Sequence, residues 1–236
     1  MYILALDSTA ATGTVALCKD RKLLASVTLN TGNTHSETLL PSVESVLTLC
    51  GLTADDIDLF ACAAGPGSFT GVRIGASTVK GMAFGKNKPC IGVSTLEALA
   101  YNLRGFSGIL CPVMNARRSQ VYNALFRVSD GELTRLCPDR AVALSDLSTE
   151  LAAYKNESIY LSGDGYDMTH EALASLPLAN TPEELIYQSG YSVAMCALRA
   201  YENGVRTTDA ELVPTYLRLP QAERERLEKL NNQDQS

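Results

Sequence analysis

The sequence predicts an α/β protein built from two related domains, and three observations carry that prediction. The chain opens with three short strand-like runs, Tyr2–Asp7, Gly13–Lys19 and Leu23–Leu29, joined by tight turns. Helical and strand-like periods then alternate, giving the order βββαβαβα before residue 106. Near Phe106-Ser-Gly108 the pattern restarts with strands followed by helix and strand. The expected division is residues 1–106, residues 107–220 and a charged, polar tail from 221 to 236.

Each element has a local reason. Thr34–Gly51 places Leu39, Leu40, Val43, Val46, Leu47 and Cys50 at helical spacing. Thr34-His-Ser-Glu37 reads as a capping box, and Pro41, past the first turn, predicts a kink. Leu59–Ala64 reads as a buried strand, Thr70–Phe84 as a helix capped by Ser68 or Thr70, and Cys90–Val93 as a strand. Ser94–Leu103 reads as a helix opened by the box Ser94-Thr-Leu-Glu97. In the second half, Ile109–Met114, Gln120–Val128, Leu133–Leu136 and Ser158–Leu161 read as strands, with Asp130-Gly131 as a hairpin turn. Ser145–Ala153 reads as a weaker helix, Pro182–Glu202 as one long helix and Glu211–Leu219 as an extended segment.

Composition narrows the function classes. A chain of 236 residues, 46% hydrophobic and 19% charged, buries a sizeable core, and no apolar run reaches the ~18 residues of a membrane span. The N-terminus lacks a basic region and meets Asp7 at once, which predicts a first strand rather than a signal peptide. Seven scattered cysteines without C-x-x-C pairs predict buried free thiols in a reducing cytoplasm. Net charge is −6 without a Lys/Arg cluster, so the chain alone lacks the electrostatic footprint of a strong nucleic-acid binder.

The stretch Gly65-Pro-Gly-Ser-Phe-Thr-Gly-Val-Arg-Ile-Gly75 follows a strand and opens a helix, as a phosphate loop does. A P-loop requires Lys and Ser or Thr after its last glycine, whereas Gly71 is followed by Val72 and Arg73. The dinucleotide spacing G-x-G-x-x-G is missed by one residue. Gly71 and Gly75, one helical turn apart, instead predict a close helix contact. Gly71, Gly75, Thr78, Val79 and Met82 form one stripe, which together with Leu39, Leu40, Val43 and Leu47 is expected to build a four-helix contact with another molecule. The competing expectation is that both helix faces cover their own sheet. Asp7-Ser8-Thr9 and Gly163-Asp164-Gly165 read on their own as turns. His35 is expected at a helix start or interface rather than in catalysis.

Several strings carry a family resemblance: Ile3–Thr9, His35–Pro41, Gly65–Gly75, Val93–Leu99, Ala116–Arg118 with Val121-Tyr122, and Pro214-x-Tyr-Leu-Arg218. The chain resembles the superfamily of acetate kinases, sugar kinases and actin, and within it the TsaB (YeaZ) family of tRNA threonylcarbamoyladenosine biosynthesis proteins. That resemblance implies an actin-like ATPase fold with two ribonuclease-H-like α/β domains. It also implies a non-catalytic activating subunit, paired with the catalytic paralogue TsaD and the small ATPase TsaE. The complex transfers a threonylcarbamoyl group to the adenosine beside the tRNA anticodon. The resemblance further implies that ATP and metal belong to the partners, with no cofactor expected on this chain, that tRNA is reached only through the complex, and that the chain alone forms a homodimer. The paralogue's H-x-E-x-H metal motif falls on Thr95-Leu-Glu-Ala-Leu99, so both ligand positions are lost, and Glu97 is expected to act as a cap. Asn115 and Gln120 stand where the family is usually acidic. The actin-like resemblance further implies candidate nucleotide contacts at Asp7-Ser8-Thr9 and Gly163-Asp164-Gly165. Two competing readings are an ATP-dependent kinase or transferase supported by Asp7-Ser-Thr9, and a metallopeptidase, which lacks ligands because only His35 and His170 are present.

Overall fold

A computed structural model describes residues 1–218; the expected polar tail lies outside the described residues. The first sheet has the order β3-β2-β1-β4-β5. Strands β1 (Tyr2–Asp7), β2 (Gly13–Lys19) and β3 (Lys22–Leu29) form an antiparallel meander. Strands β4 (Leu59–Ala63) and β5 (Cys90–Val93) add in parallel beside β1. The parallel additions need crossovers, supplied by α1 (His35–Leu49) between β3 and β4 and α2 (Phe69–Ala83) between β4 and β5. Strands β1 and β4 are buried almost throughout, as near-continuous apolar runs require.

The second sheet repeats the plan in abbreviated form. Its central strand β6 (Gly108–Asn115) pairs in parallel with β11 (Ile159–Ser162). It pairs antiparallel with β7 (Gln120–Asn123) and β8 (Phe126–Ser129). Val113 opposite Asn123 and Leu110 opposite Phe126 fall on one continuous register, so β7 and β8 are one strand interrupted at Ala124-Leu125. The outer layer, β9 (Glu132–Arg135) and β10 (Arg140–Ala143), is interrupted in the same place. The hairpin turn stands at Asp130-Gly131, both residues having positive φ. Two repeats of a strand meander followed by parallel strands make this an actin-like ATPase fold with two ribonuclease-H-like units.

Several boundaries differ from the sequence expectation. Helix α1 runs through Pro41 without interruption, and Pro41 lies on its exposed side, where a missing amide is tolerated. The Glu37 carboxylate accepts from the Thr34 amide at 3.4 Å, as a capping box requires. The single helix expected over Pro182–Glu202 breaks into a 3-10 turn, Glu183–Leu185, and α6 (Gly190–Glu202), because Ser189 caps a new start at Gly190, its hydroxyl accepting from the Ser192 amide. Helices α4 (Leu144–Leu151) and α5 (Tyr166–Ala172) flank β11. The simple division at residue 106 is also corrected. Helix α3 (Thr95–Asn102) packs Leu96 and Leu99 into the core of the second sheet. Helix α6 returns to cover the first sheet, with Val193, Ala197 and Leu198 against Ile3 and Ala5. Among the described residues no helix is long and apolar enough to cross a membrane.

Candidate functional site

Strands β1 and β6 end at a cleft between the two sheets, enclosing a cavity of about 530 Å³. Its walls come from the loop after β1 (Thr9, Ala10), the start of α2 (Ser68, Phe69), the end of β6 (Met114, Asn115), Asp164, and the strap Thr215–Arg218. Ligand crevices in α/β folds sit at the carboxyl ends of strands in this way.

Asp7 lies beneath this cleft and is 1% exposed. Its Oδ1 accepts from the Thr9 amide at 2.8 Å and the Thr9 hydroxyl at 2.6 Å, while Oδ2 is buried without a hydrogen-bond partner among the described residues. Burial pushes its carboxyl up to about 6, offset in part by the Thr9 bonds. Ser8 turns away from the cleft and donates its hydroxyl to the Gly71 carbonyl oxygen at 2.8 Å. Asp164 lines the cleft, accepting from the Asn115 amide at 3.1 Å; desolvation raises its carboxyl as well. The Gly163 amide donates to the Ile186 carbonyl at 2.6 Å and the Gly165 amide to the Val113 carbonyl at 3.1 Å, so neither is offered to a phosphate. Of the six candidate nucleotide contacts, only Thr9 and Asp164 line the cavity; the others hold turns in place. Among the described residues no group of three or more His, Cys, Asp and Glu could hold a metal.

The expected partner stripe takes a different role. Gly71 and Gly75 face β1: a Cβ at Gly71 would collide with the Ser8 carbonyl, and one at Gly75 would stand 2.8 Å from Ser8 Oγ. Val79, Leu39, Val43 and Leu47 are buried in the core shared by α1, α2 and the first sheet. These six residues are therefore corrected from partner contacts to internal packing. Leu40, 50% exposed, remains on the outer side, and Thr78 and Met82 are half-buried. Leu49 at the end of α1 and Phe84 just after α2 are each 78% exposed. His35 contacts the Ala10 carbonyl at 2.6 Å through Nε2, at a helix start as expected.

At the start of α3, Ser94 Oγ accepts from the Glu97 amide, but the Glu97 side chain does not close the expected box. Its carboxylate is held instead by Arg135 at 3.2 Å and by Arg199, tying β9 and α6 to α3. Thr95 is fully buried and Leu99, 1% exposed, sits in the core.

The strap was legible only as an extended segment. Its side chains turn out to be organised: Tyr216 accepts from Arg73 Nε at 2.9 Å, and its ring lies 4.8 Å from that of Phe69. The Arg73 guanidinium stacks 3.8 Å above Phe69. Arg218 donates to the Ala116 carbonyl at 2.6 Å and lies 5.7 Å from the Tyr122 ring centre. The string Pro214-x-Tyr-Leu-Arg218 was the available signal, since an arginine and a tyrosine in a late, otherwise irregular segment point to fixed contacts.

Comparison with known proteins agrees with this architecture. The family model for TsaD, tRNA N6-adenosine threonylcarbamoyltransferase, matches residues 22–225. The chain is 33% identical to the tRNA threonylcarbamoyladenosine biosynthesis protein TsaB of Bacillus subtilis, covering 94% of this chain and 96% of that one. A 70-residue stretch is 44% identical to the tRNA N6-adenosine threonylcarbamoyltransferase of Sphingopyxis alaskensis, covering 30% of this chain and 20% of that protein. Among solved structures, YeaZ from Pseudomonas aeruginosa superposes with a TM-score of 0.77 at 26% identity, covering 92% of this chain and 99% of that one. With near-complete coverage in both sequence and fold, the chain belongs to the TsaB (YeaZ) family of tRNA threonylcarbamoyladenosine biosynthesis proteins.

Proposed function

We propose that this chain is a non-catalytic activating subunit that pairs with a TsaD-like threonylcarbamoyltransferase, its paralogue. The observation that carries the reading is the closed start of α3. Thr95 and Leu99, where the resemblance places the paralogue's metal histidines, are 0% and 1% exposed. Glu97 between them is engaged by two arginines. A hydroxyl sealed in a core and a leucine offer no ligand set for a metal.

The partner meets the outer surface of α1 and α2 around Leu40, Thr78 and Met82. An exposed leucine on α1 and half-buried side chains on α2, two helices that pack together, support a helical contact of this kind. The same surface joins two copies when the paralogue is absent. Nucleotide and metal are bound by the partner subunits, including a TsaE-like ATPase, and tRNA is engaged through the assembled complex in the cytoplasm. Sedimentation of the chain with the paralogue tests the pairing: Leu40→Asp with Thr78→Arg weakens association at least about tenfold, a change of about 1.4 kcal/mol. Unchanged association contradicts the proposed face.

The cleft favours a second reading, an ATP-dependent transferase, through Asp7 and Asp164. It is the weaker of the two because Ser8 and Oδ1 of Asp7 are already engaged within the chain. Calorimetric titration with ATP and magnesium decides it: no heat is expected, and saturable binding contradicts the primary reading.

A further inference from the structure

The segment from Thr207 to Arg218 joins both halves of the molecule. It begins as an addition to the first sheet, where the Cys90 amide donates to the Thr207 carbonyl at 2.8 Å and the Thr207 hydroxyl donates to the Cys90 carbonyl at 2.5 Å. It then crosses α2: Lys80 donates to the Leu212 carbonyl at 3.1 Å, and Leu212 is buried in the core that α2 shares with α1. The Thr215 amide donates to the Ala64 carbonyl at 2.7 Å, just beyond β4. Tyr216 closes on Phe69 and Arg73 of α2. Two residues later the partners change domain, because Arg218 reaches Ala116 and Tyr122 at the β6–β7 turn. Two residues of chain span less than about 7 Å, so this crossing leaves little slack.

Elsewhere the domains are joined through α3, where Asn102 donates to the Leu185 and Tyr187 carbonyls and accepts from Ser192. The strap lines the cleft itself, with Tyr216 and Arg218 on its wall. A molecule pinned at α3 and again across its cleft has its domain angle fixed at two places. The first-domain end of that second pin is α2, the helix that carries Thr78 and Met82.

We infer that Tyr216 and Arg218 are positioning residues: the strap clamps the second domain against α2, and the resulting angle determines how well the bound chain activates its partner. The clamp itself stands on the contacts above; its effect on activation rests on the functional reading proposed here. Arg218 works through shape as well as charge, because a planar guanidinium can lie beside the Tyr122 ring while donating to Ala116.

The test uses the full-length chain and four variants, Arg218→Ala, Arg218→Lys, Tyr216→Ala and Tyr216→Phe. Hydrogen exchange on the chain alone reads the clamp. Arg218→Ala and Tyr216→Ala are expected to accelerate exchange at least about fivefold at Thr215 and across Ala116–Tyr122, while α1 stays protected. Tyr216→Phe keeps the ring contact and remains close to wild type, and Arg218→Lys falls between. Unchanged exchange in both alanine variants overturns the clamp. Reconstituted modification with the paralogue reads the second half: partner affinity stays within about threefold of wild type, while turnover at saturating chain falls at least about fivefold. Tyr216→Phe restores it. Turnover equal to wild type in Arg218→Ala overturns the positioning role alone. Failure of the wild-type chain to bind the paralogue contradicts the functional reading, and with it the effect on activation, irrespective of the exchange result. Should Arg218→Ala fail to fold, the intermediate exchange and turnover expected of Arg218→Lys carry the same decision.

Discussion

The Ser8 hydroxyl donates to the Gly71 carbonyl oxygen at 2.8 Å, tying the end of β1 to the first turn of α2. Gly71 and Gly75 of that helix permit this approach. A Cβ at Gly71 meets backbone, the Ser8 carbonyl, while one at Gly75 meets the Ser8 side chain at 2.8 Å and Leu6 Cδ1 at 3.3 Å. Gly71→Ala is therefore expected to destabilise the isolated chain more than Gly75→Ala, which costs about 1–3 kcal/mol as overpacking. Gly75→Leu is expected to unfold the domain. Urea midpoints of the three variants check the order; a stable Gly75→Leu chain contradicts it.

Asp7 makes stability depend on pH with a defined sign. Burial raises its carboxyl from 3.8 to about 6, so the folded state favours the protonated form. Its stabilising contribution is complete below 3.8 and is lost as pH rises through 6, a change of about 3 kcal/mol. Asp7→Asn removes that titration. The stability difference between wild type and Asp7→Asn, measured by urea unfolding from pH 4 to pH 7, should therefore move toward the variant as pH rises. A difference that stays flat across this range contradicts the buried carboxyl.

The caps and the first sheet were readable because their causes are local. Ser68 caps α2 and Ser94 opens α3, as their hydroxyls and the following periodicity foretold. The interruption at Ala124-Leu125 was hidden because both lie in the short apolar stretch Ala124-Leu-Phe126 and are buried whether or not they pair. Strand β10 and helix α5 are too short to show a period of their own. The glycine stripe was read correctly as a place of close approach, but spacing cannot say what approaches; the answer, β1, lies about sixty residues earlier in the chain. For the cleft, Thr9 and Asp164 stood among the candidates, whereas the strap is brought to Phe69 and Arg73 only by tertiary contact.

Thiol chemistry gives a further check. Burial pushes Cys18, Cys62, Cys111 and Cys196 up to about 12 and Cys90 up to about 11. Cys50 and Cys137 are only half-buried. Alkylation of the native chain at pH 8, followed by peptide mass mapping, should modify Cys50 and Cys137 first. Rapid labelling of Cys62 or Cys111 contradicts the packing described for both sheets.

Glu97 is expected to matter for stability rather than chemistry. Its carboxylate, 24% exposed, holds Arg135 and Arg199. Partial solvent screening limits the loss on Glu97→Gln to about 1 kcal/mol. Thermal unfolding reads that loss, and turnover of the reconstituted complex should stay within about twofold of wild type. A drop of about a hundredfold with the partner still bound would make Glu97 a participant in the reaction.

Reconstitution of tRNA modification is the most direct test of the central claim, that this chain activates a catalytic paralogue through the outer face of α1 and α2. Threonylcarbamoyladenosine formation is measured with the paralogue, the ATPase, tRNA and increasing amounts of wild-type chain or the double variant Leu40→Asp, Thr78→Arg. Product should depend on the wild-type chain, and the variant should need at least about ten times more protein to reach the same rate. Full modification without the chain, or an identical titration by the variant, would contradict the account.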